Sequence, residues 1–116
     1  MSKELTKEAE KKIADIQLIE QNMQNSLMQK QRFQSELLEV ENALGEIESS
    51  EETYKIVGNI MISAKKDDLK KELDSKKNVL NIRIKSLEKE ESRLKDKTNS
   101  LQKEVMEIIK NEQSEK

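Results

Sequence analysis

Ten residues at the centre of the chain decide its fold: Tyr54-Lys55-Ile56-Val57-Gly58-Asn59-Ile60-Met61-Ile62-Ser63. The stretch is rich in β-branched residues, and its two short apolar runs are separated by the pair Gly58-Asn59. Two such runs with two turn-forming residues between them are typical of a β-hairpin, because glycine readily adopts the positive φ that a tight turn needs. The sequence therefore predicts two short antiparallel strands joined by a tight turn.

Long helices are predicted on both sides of this hairpin. In the C-terminal half, an apolar residue recurs every seven positions, as in a coiled-coil seam, at Leu73, Leu80, Leu87, Leu94, Leu101 and Ile108. In the N-terminal half, one heptad frame holds Ala9, Ile13, Ile16, Met23, Leu27, Leu37 and Leu44, and a second holds Phe33, Leu37, Val40, Leu44 and Ile47. The step of three from Lys30 to Phe33 leaves two interpretations, a local phase slip or an apolar face that widens toward Ile47.

The midpoint of the chain falls between Gly58 and Asn59, which gives two helical halves of equal length. If the chain folds back there, residues whose numbers add up to 117 lie opposite each other, and apolar positions such as Met23 and Leu94 meet. The predicted fold class is mainly α, a long antiparallel two-helix coiled coil joined by a central β-hairpin. Its segments are a helix over 1–48, a linker and hairpin over 49–66, and a helix over 67–116.

The composition excludes several classes of function. Of the 116 residues, 33% are hydrophobic and 40% are charged, which is too polar for an ordinary globular core but suits long solvated helices. The net charge of −2, with both signs interleaved, argues against a surface for nucleic acid or for a membrane. Since no apolar run approaches the roughly 20 residues of a membrane-spanning helix, and the N-terminus does not resemble a signal peptide, we expect a soluble cytoplasmic protein.

Enzyme chemistry is not expected. The chain has no histidine and no cysteine, so serine and cysteine nucleophiles lack the partners that activate them, and neither glycine lies in a phosphate-binding loop. Adjacent acids such as Glu51-Glu52 and Glu90-Glu91 point apart on a helix or in a turn, which favours a solvated surface over a metal site. We therefore expect no cofactor and no metal ion.

The hairpin is the feature that requires partners. A two-stranded hairpin alone is marginally stable in water, and its free edges offer unpaired backbone groups. This one also carries five apolar residues that need burial, namely Ile56, Val57, Ile60, Met61 and Ile62. Strands from other chains are expected to cover it, and the alternative is a hairpin that caps its own coiled coil.

These features together resemble the beta class of prefoldin, particularly the archaeal type. The resemblance covers essentially the whole chain. Its specific part is the hairpin pattern Tyr-Lys-x-Val-Gly-x-Ile-x-Ile, which runs here from Tyr54 to Ile62 and follows Leu44-Gly45-Glu46-Ile47-Glu48 at the end of the first helix. Heptads alone match many unrelated coiled coils, so the hairpin carries the resemblance.

The resemblance implies a molecular chaperone that acts without ATP. Proteins of this class form a hexamer of two alpha and four beta subunits, in which the hairpins build an inter-subunit β-barrel. They capture unfolded polypeptides at the tips of the coiled coils and deliver them to a group II chaperonin. The residues implied in assembly are Tyr54, Ile56, Val57, Gly58, Ile60, Met61 and Ile62.

Client binding is expected where the free ends of the two helices meet, near residues 1–19 and 101–116. The candidates are Leu5, Ala9, Ile13, Ile16, Ile19, Leu101, Val105, Met106, Ile108 and Ile109. In each of the pairs Val105-Met106 and Ile108-Ile109 only one residue can face the partner helix. The alternatives are a widened seam, or contact with a neighbouring subunit. For the whole protein, the alternative functions are a structural coiled-coil adaptor and a helical protein associated with nucleic acid.

Overall fold

The computed structural model describes the backbone of residues 3–114 and the side chains of residues 7–112. Two helices, α1 (Lys3–Ser49) and α2 (Lys66–Ser114), flank two strands, β1 (Thr53–Val57) and β2 (Ile60–Ala64). The predicted order of helix, hairpin and helix is confirmed. Within the described residues, neither helix has an apolar stretch of the length that a membrane crossing requires.

The chain divides into two compact units. The hairpin unit comprises residues 29–86, and the terminal unit comprises the residues up to Met28 together with those from Leu87 onward. Each unit therefore contains a piece of α1 and a piece of α2. Because the two pieces come from opposite halves of the chain, their pairing depends on the fold-back at the hairpin.

The two strands pair antiparallel through a two-residue turn. The register joins Thr53 to Ala64 at one end and Val57 to Ile60 at the other. Gly58 has a φ of +62°, and Asn59 has no positive φ, which is the pattern of a type II′ turn. In every pair the residue numbers add up to 117, so the predicted register is confirmed in the hairpin.

The same register continues in the helices of each unit. In the hairpin unit, the Arg83 guanidinium lies 5.5 Å from the centroid of the Phe33 ring. In the terminal unit, Lys12 Nζ lies 2.7 Å from Glu104 Oε2. The residue numbers of each pair add up to 116, one less than the predicted sum of 117. Within each unit, facing positions of the two helices therefore follow the predicted register to within one residue.

The helices of the hairpin unit bury a side chain at every third or fourth position. On α1 the buried and half-buried residues at this spacing are Lys30, Phe33, Leu37, Val40, Leu44 and Ile47. The step from Lys30 to Phe33 is therefore a regular part of one heptad frame, and the phase-slip interpretation is wrong. Ala43 is half-buried beside Leu44, so the apolar face does widen toward Ile47.

In the terminal unit the same spacing selects a seam that is partly polar. On α1 its residues are Ala9, Lys12, Ile16, Ile19, Met23 and Ser26, and on α2 they are Leu87, Glu91, Leu94, Thr98, Leu101, Val105, Ile108 and Glu112. Ile13 and Leu27, which the apolar heptad frame placed in this seam, are 41% and 45% exposed. That part of the prediction is wrong, because each of them follows a polar residue that occupies the seam position.

Side chains satisfy the end of α1. The hydroxyls of Ser49 and Ser50 donate hydrogen bonds to the carbonyl of Glu46, at 3.1 and 2.7 Å. Lys66 Nζ donates to the carbonyl of Glu48 at 2.9 Å. The last carbonyls of a helix have no partner inside the helix, so these donors stabilise its end next to the hairpin.

The start of α2 matches the sequence pattern. Asp67 and Asp68 lie in its first turn, where carboxylates are favoured by the helix dipole. The amide of Leu69 donates to the carbonyl of Lys65 at 3.0 Å, which closes that turn. The connection from β2 to α2 is thus a single residue, Lys65, so the hairpin is joined closely to the second helix.

Candidate functional site

The apolar side chains of the hairpin lie on the surface of the described chain. Their exposed fractions range from 46% at Ile62 to 68% at Ile56. Since alternate strand residues point to opposite faces, Ile60 and Ile62 lie on one face, and Ile56 and Met61 lie on the other. A hairpin that capped its own coiled coil would bury one of these faces, so this alternative is not what the chain adopts.

Three contacts hold the base of the hairpin in place. Thr53 is 9% exposed, and its hydroxyl donates a hydrogen bond of 2.7 Å to the carbonyl of Ala64. Lys55 Nζ lies 2.9 Å from Glu72 Oε1 on α2. The Tyr54 hydroxyl donates a hydrogen bond of 2.8 Å to Glu52 Oε2. This hydrogen bond is the main cause that raises the pKa of Tyr54 above its ordinary value, and partial burial is the smaller cause. The pair of Lys55 with Glu72 thus attaches the hairpin to α2, while the apolar tip of the hairpin stays uncovered.

A groove of about 530 Å³ lies beside β1 within the hairpin unit. Its apolar lining comes from Ala43 and Ile47 on α1, Leu69 and Leu73 on α2, and Ile56 on β1. Val57 and Ile60, the pair next to the two-residue turn, are hydrogen-bonded to each other through their backbone groups. Because such pairs alternate along antiparallel strands, the backbone N–H and C=O groups of Tyr54 and Ile56 point away from β2. This edge therefore offers hydrogen bonds and an apolar surface together, a combination that suits an added strand.

Sequence reasoning found only part of this groove. Tyr54 and Ile56 were predicted as assembly residues, whereas Ala43 and Leu69 were not singled out. The available signal was that Leu69 is apolar although it lies outside the heptad that begins at Leu73. Which flank of the helices the hairpin covers depends on contacts such as Lys55 with Glu72, and periodicity does not encode these.

The predicted client-binding residues divide into buried, half-buried and exposed groups. Ile19, Val105 and Ile108 are buried in the seam, and Ala9, Ile16 and Leu101 are half-buried. Three are exposed, namely Ile13 at 41%, Met106 at 66% and Ile109 at 41%. Leu5 lies outside the residues whose side chains are described. The prediction that one residue of each pair, Val105-Met106 and Ile108-Ile109, faces away from the partner helix is confirmed.

Exposed ion pairs help to fix the helix register. The hydrogen bond from Lys12 to Glu104 raises the pKa of Lys12, and the one from Lys70 lowers the pKa of Glu48. Each such pair contributes little free energy because water screens it. Among the described residues, no group of three or more acidic side chains is placed to hold a metal ion.

Comparisons with known proteins identify the family. A sequence model described as prefoldin subunit matches residues 10–112. The prefoldin subunit beta of Archaeoglobus fulgidus is 31% identical over 109 residues, which cover 91% of this chain and 94% of that protein. The chain belongs to the prefoldin beta subunit family. The prefoldin subunit beta of Sulfurisphaera tokodaii is 30% identical over 112 residues and covers 94% of this chain and 90% of that protein.

The fold of the prefoldin beta family matches this chain as well. The crystal structure of the prefoldin beta subunit from Thermococcus strain KS-1 superposes with a TM-score of 0.81 at 31% identity, over 86% of this chain and 90% of that chain. The resemblance inferred from the hairpin pattern and the predicted mainly helical fold are thus confirmed. The chain is a chaperone subunit of the prefoldin type, and assembly with other prefoldin subunits is a property of this family.

Proposed function

We propose that the chain is the beta subunit of an ATP-independent holdase that assembles with alpha subunits into a cytoplasmic hexamer of two alpha and four beta subunits. The complex captures unfolded polypeptides at its coiled-coil tips and delivers them to a group II chaperonin. The observation that carries the proposal is the hairpin, whose apolar side chains stay exposed on both faces. The helix 1–48 and the helix 67–116 form the client-binding arm, and the segment 49–66 serves assembly.

Assembly is supported by the energetic cost of leaving this hairpin uncovered. Ile56, Ile60 and Met61 are each at least 65% exposed. Burying a side chain of this size stabilises a protein by about 1.5–3 kcal/mol, so joining the hairpins of several subunits is strongly favourable. The unpaired edge of β1 and the groove beside it provide both the hydrogen bonds and the shape that a neighbouring strand requires.

Client holding is supported by the apolar residues that remain exposed in the terminal unit. Ile13, Met106 and Ile109 are exposed, and Glu107 and Lys110 line a groove together with Met106 and Ile109, so charged groups border this apolar surface. Methionine adapts its shape to different contacts, which suits binding to clients of varied sequence. Several arms acting on one client multiply weak contacts through effective concentration.

The test is suppression of aggregation of a chemically denatured client, measured by light scattering with and without a partner alpha subunit and in the absence of nucleotide. The holdase predicts that the reconstituted complex suppresses aggregation without ATP. A complex that assembles normally and leaves aggregation unchanged would instead indicate a structural coiled-coil adaptor. Delivery is tested by adding a group II chaperonin to the held client. The proposal predicts that native client is then recovered.

A further inference from the structure

The two flanks of the helix pair in the terminal unit differ in character. Because successive helix residues are about 100° apart, a residue directly after a seam residue lies on one flank, and a residue directly before it lies on the other. In an antiparallel pair of helices, the residues that directly follow seam residues lie on the same flank of the pair, whichever helix they belong to. On α1, a groove of about 310 Å³ lies on the first of these flanks, since Glu20, Gln24 and Leu27 each follow a seam residue and all three line the groove.

The first flank, here called the open flank, carries the exposed apolar residues of the predicted site. Ile13 follows Lys12, Met106 follows Val105, and Ile109 follows Ile108. The groove at Met23 and Leu27 lies on this same flank. Ile13 and Leu27 are 14 residues apart on one helix, a distance of about 21 Å. The open flank is therefore long enough to contact about six residues of an extended polypeptide.

The groove at Leu27 is the acidic part of the open flank, because Glu20 and Glu91 line it and its described lining includes no lysine or arginine. The grooves beside Met106 are lined by charges of both signs, Lys103, Lys110 and Glu107. Among the described residues, Glu10, Glu20 and Glu88 follow seam residues, against one lysine, Lys95. No hydrogen bond or ion pair of Glu20 or Glu88 is present within the described part of the chain. These carboxylates are available to a cation on another molecule, and they lie on the flank that carries the apolar side chains.

Residues on the opposite flank take part in two ion pairs within the chain. Glu104 precedes the seam residue Val105 and pairs with Lys12 at 2.7 Å. Glu90 and Arg93, which also precede seam residues, pair with each other at 2.6 Å. Of the exposed large apolar residues in the terminal unit, Leu18 lies on this flank, at 58% exposed, which makes it a natural control.

We propose that the open flank is the client-binding surface of each arm, and that it prefers extended apolar segments flanked by lysine or arginine. The apolar group Ile13, Met106 and Ile109 and the groove at Leu27 would hold the apolar part, and Glu20 would attract the cation. This inference rests on the proposed holdase function and adds to it a single binding flank and a preferred client chemistry.

The experiment uses the full chain in complex with an alpha subunit and two fluorescent peptides. Both peptides share one apolar sequence, and one is flanked by lysines and the other by glutamates. Fluorescence anisotropy measures their dissociation constants, and circular dichroism and complex mass confirm that each variant is folded and assembled. We expect the wild-type complex to bind the lysine-flanked peptide more tightly, with a difference that shrinks at high salt.

Matched variants separate the two flanks. Met106→Ser should weaken binding of both peptides about fivefold, whereas Leu18→Ser, of similar exposure on the other flank, should have no effect. Glu20→Gln should weaken binding of the lysine-flanked peptide about two- to threefold, and Asp15→Asn on the other flank should not. Equal losses on both flanks, or equal affinity for the two peptides, would overturn the inference.

The outcome also distinguishes this inference from the holdase function. If the complex suppresses client aggregation but Met106→Ser and Leu18→Ser have the same affinity for the peptides, the binding role of the open flank is contradicted and the holdase function is not. If the complex binds neither peptide and leaves aggregation unchanged, both the binding role of the open flank and the holdase function are contradicted.

Discussion

Two glycines and two threonines show that the same type of substitution can have opposite effects on the free energy of unfolding, depending on the surroundings of the residue. Gly58 lies in the hairpin turn with a φ of +62°, whereas Gly45 lies inside α1 without a positive φ. At both positions an added Cβ would meet no atom within 4 Å, apart from the local backbone. Thr53 donates a hydrogen bond to Ala64, whereas Thr98 has a buried hydroxyl with no partner among the described residues. At the residue scale, each pair therefore supports a test in which one substitution serves as the control for the other.

Gly58→Ala is expected to destabilise the protein by about 1–2 kcal/mol, because an L side chain is strained at positive φ. Gly45→Ala should stabilise it by about 0.5–1 kcal/mol, since alanine is the better helix former and has room there. Thermal unfolding followed by circular dichroism measures both. Equal shifts for the two variants would show that the positive φ at position 58 does not constrain the turn.

Thr98→Val should raise the free energy of unfolding by about 1 kcal/mol, because it removes a buried hydroxyl that has no hydrogen bond and keeps the side-chain shape. Thr53→Val should lower that free energy by about 0.5–1.5 kcal/mol, since it removes the hydrogen bond from the Thr53 hydroxyl to the Ala64 carbonyl. Chemical denaturation at fixed subunit concentration measures both variants. A loss of stability in Thr98→Val would mean that its hydroxyl is hydrogen-bonded in solution.

At the scale of the elements, the register of the helices follows from the fold-back at the hairpin. The strand pairs give residue numbers that add up to 117, and the contact of Lys12 with Glu104 shows nearly the same sum in the terminal unit. The polar seam residues Ser26, Glu91 and Thr98 interrupt the apolar seam of this unit. Ion pairs and the few buried apolar residues must therefore fix its register together.

Met23→Cys combined with Leu94→Cys is expected to form a disulfide within one chain on oxidation, because the two positions face each other in this register. Met23→Cys combined with Leu101→Cys should not, since a displacement of one heptad is about 10 Å, beyond the Cα separation of about 7 Å that a disulfide tolerates. The chain has no native cysteine, so gel mobility with and without reductant gives a clean reading. Crosslinking of the second pair in place of the first would contradict the register.

At the scale of the whole molecule, the hairpin and the helices have separate tasks in the proposed function. Ile60→Ser with Ile62→Ser should prevent assembly while helicity stays normal, because it places hydroxyls where strands of other subunits are proposed to be buried. The loss is about 2–4 kcal/mol per subunit. Light scattering coupled to size-exclusion chromatography measures the mass of the complex. Leu38→Ser, on an exposed part of α1, is the matched control and should assemble normally.

An unchanged mass for the Ile60→Ser and Ile62→Ser variant would remove the hairpin from subunit assembly. A reduced mass for both this variant and Leu38→Ser would instead point to general destabilisation. The proposal therefore requires the two variants to differ in mass while their helix content remains the same.

The order of the elements, the turn and the strand register can be predicted from the amino-acid sequence, because they depend on local signals and on counting from the turn. Gly58-Asn59 marks the turn and thereby the strand pairs on either side of it, and the heptads mark the helices. The hairpin pattern from Tyr54 to Ile62 was also sufficient to indicate the family. All of these features are read along the chain and need no knowledge of which distant residues touch.

Packing between the two helices determines which apolar residues of the heptad frame are buried and which polar residues occupy the seam. Lys12 and Ser26 take seam positions, and the apolar residues after them, Ile13 and Leu27, are exposed. The rotation of each helix about its axis causes this, since it is set by the sum of all contacts with the partner helix rather than by one residue's hydrophobicity. The groove beside β1 has the same origin, because contacts between residues distant in sequence, such as Lys55 with Glu72, decide which flank the hairpin covers.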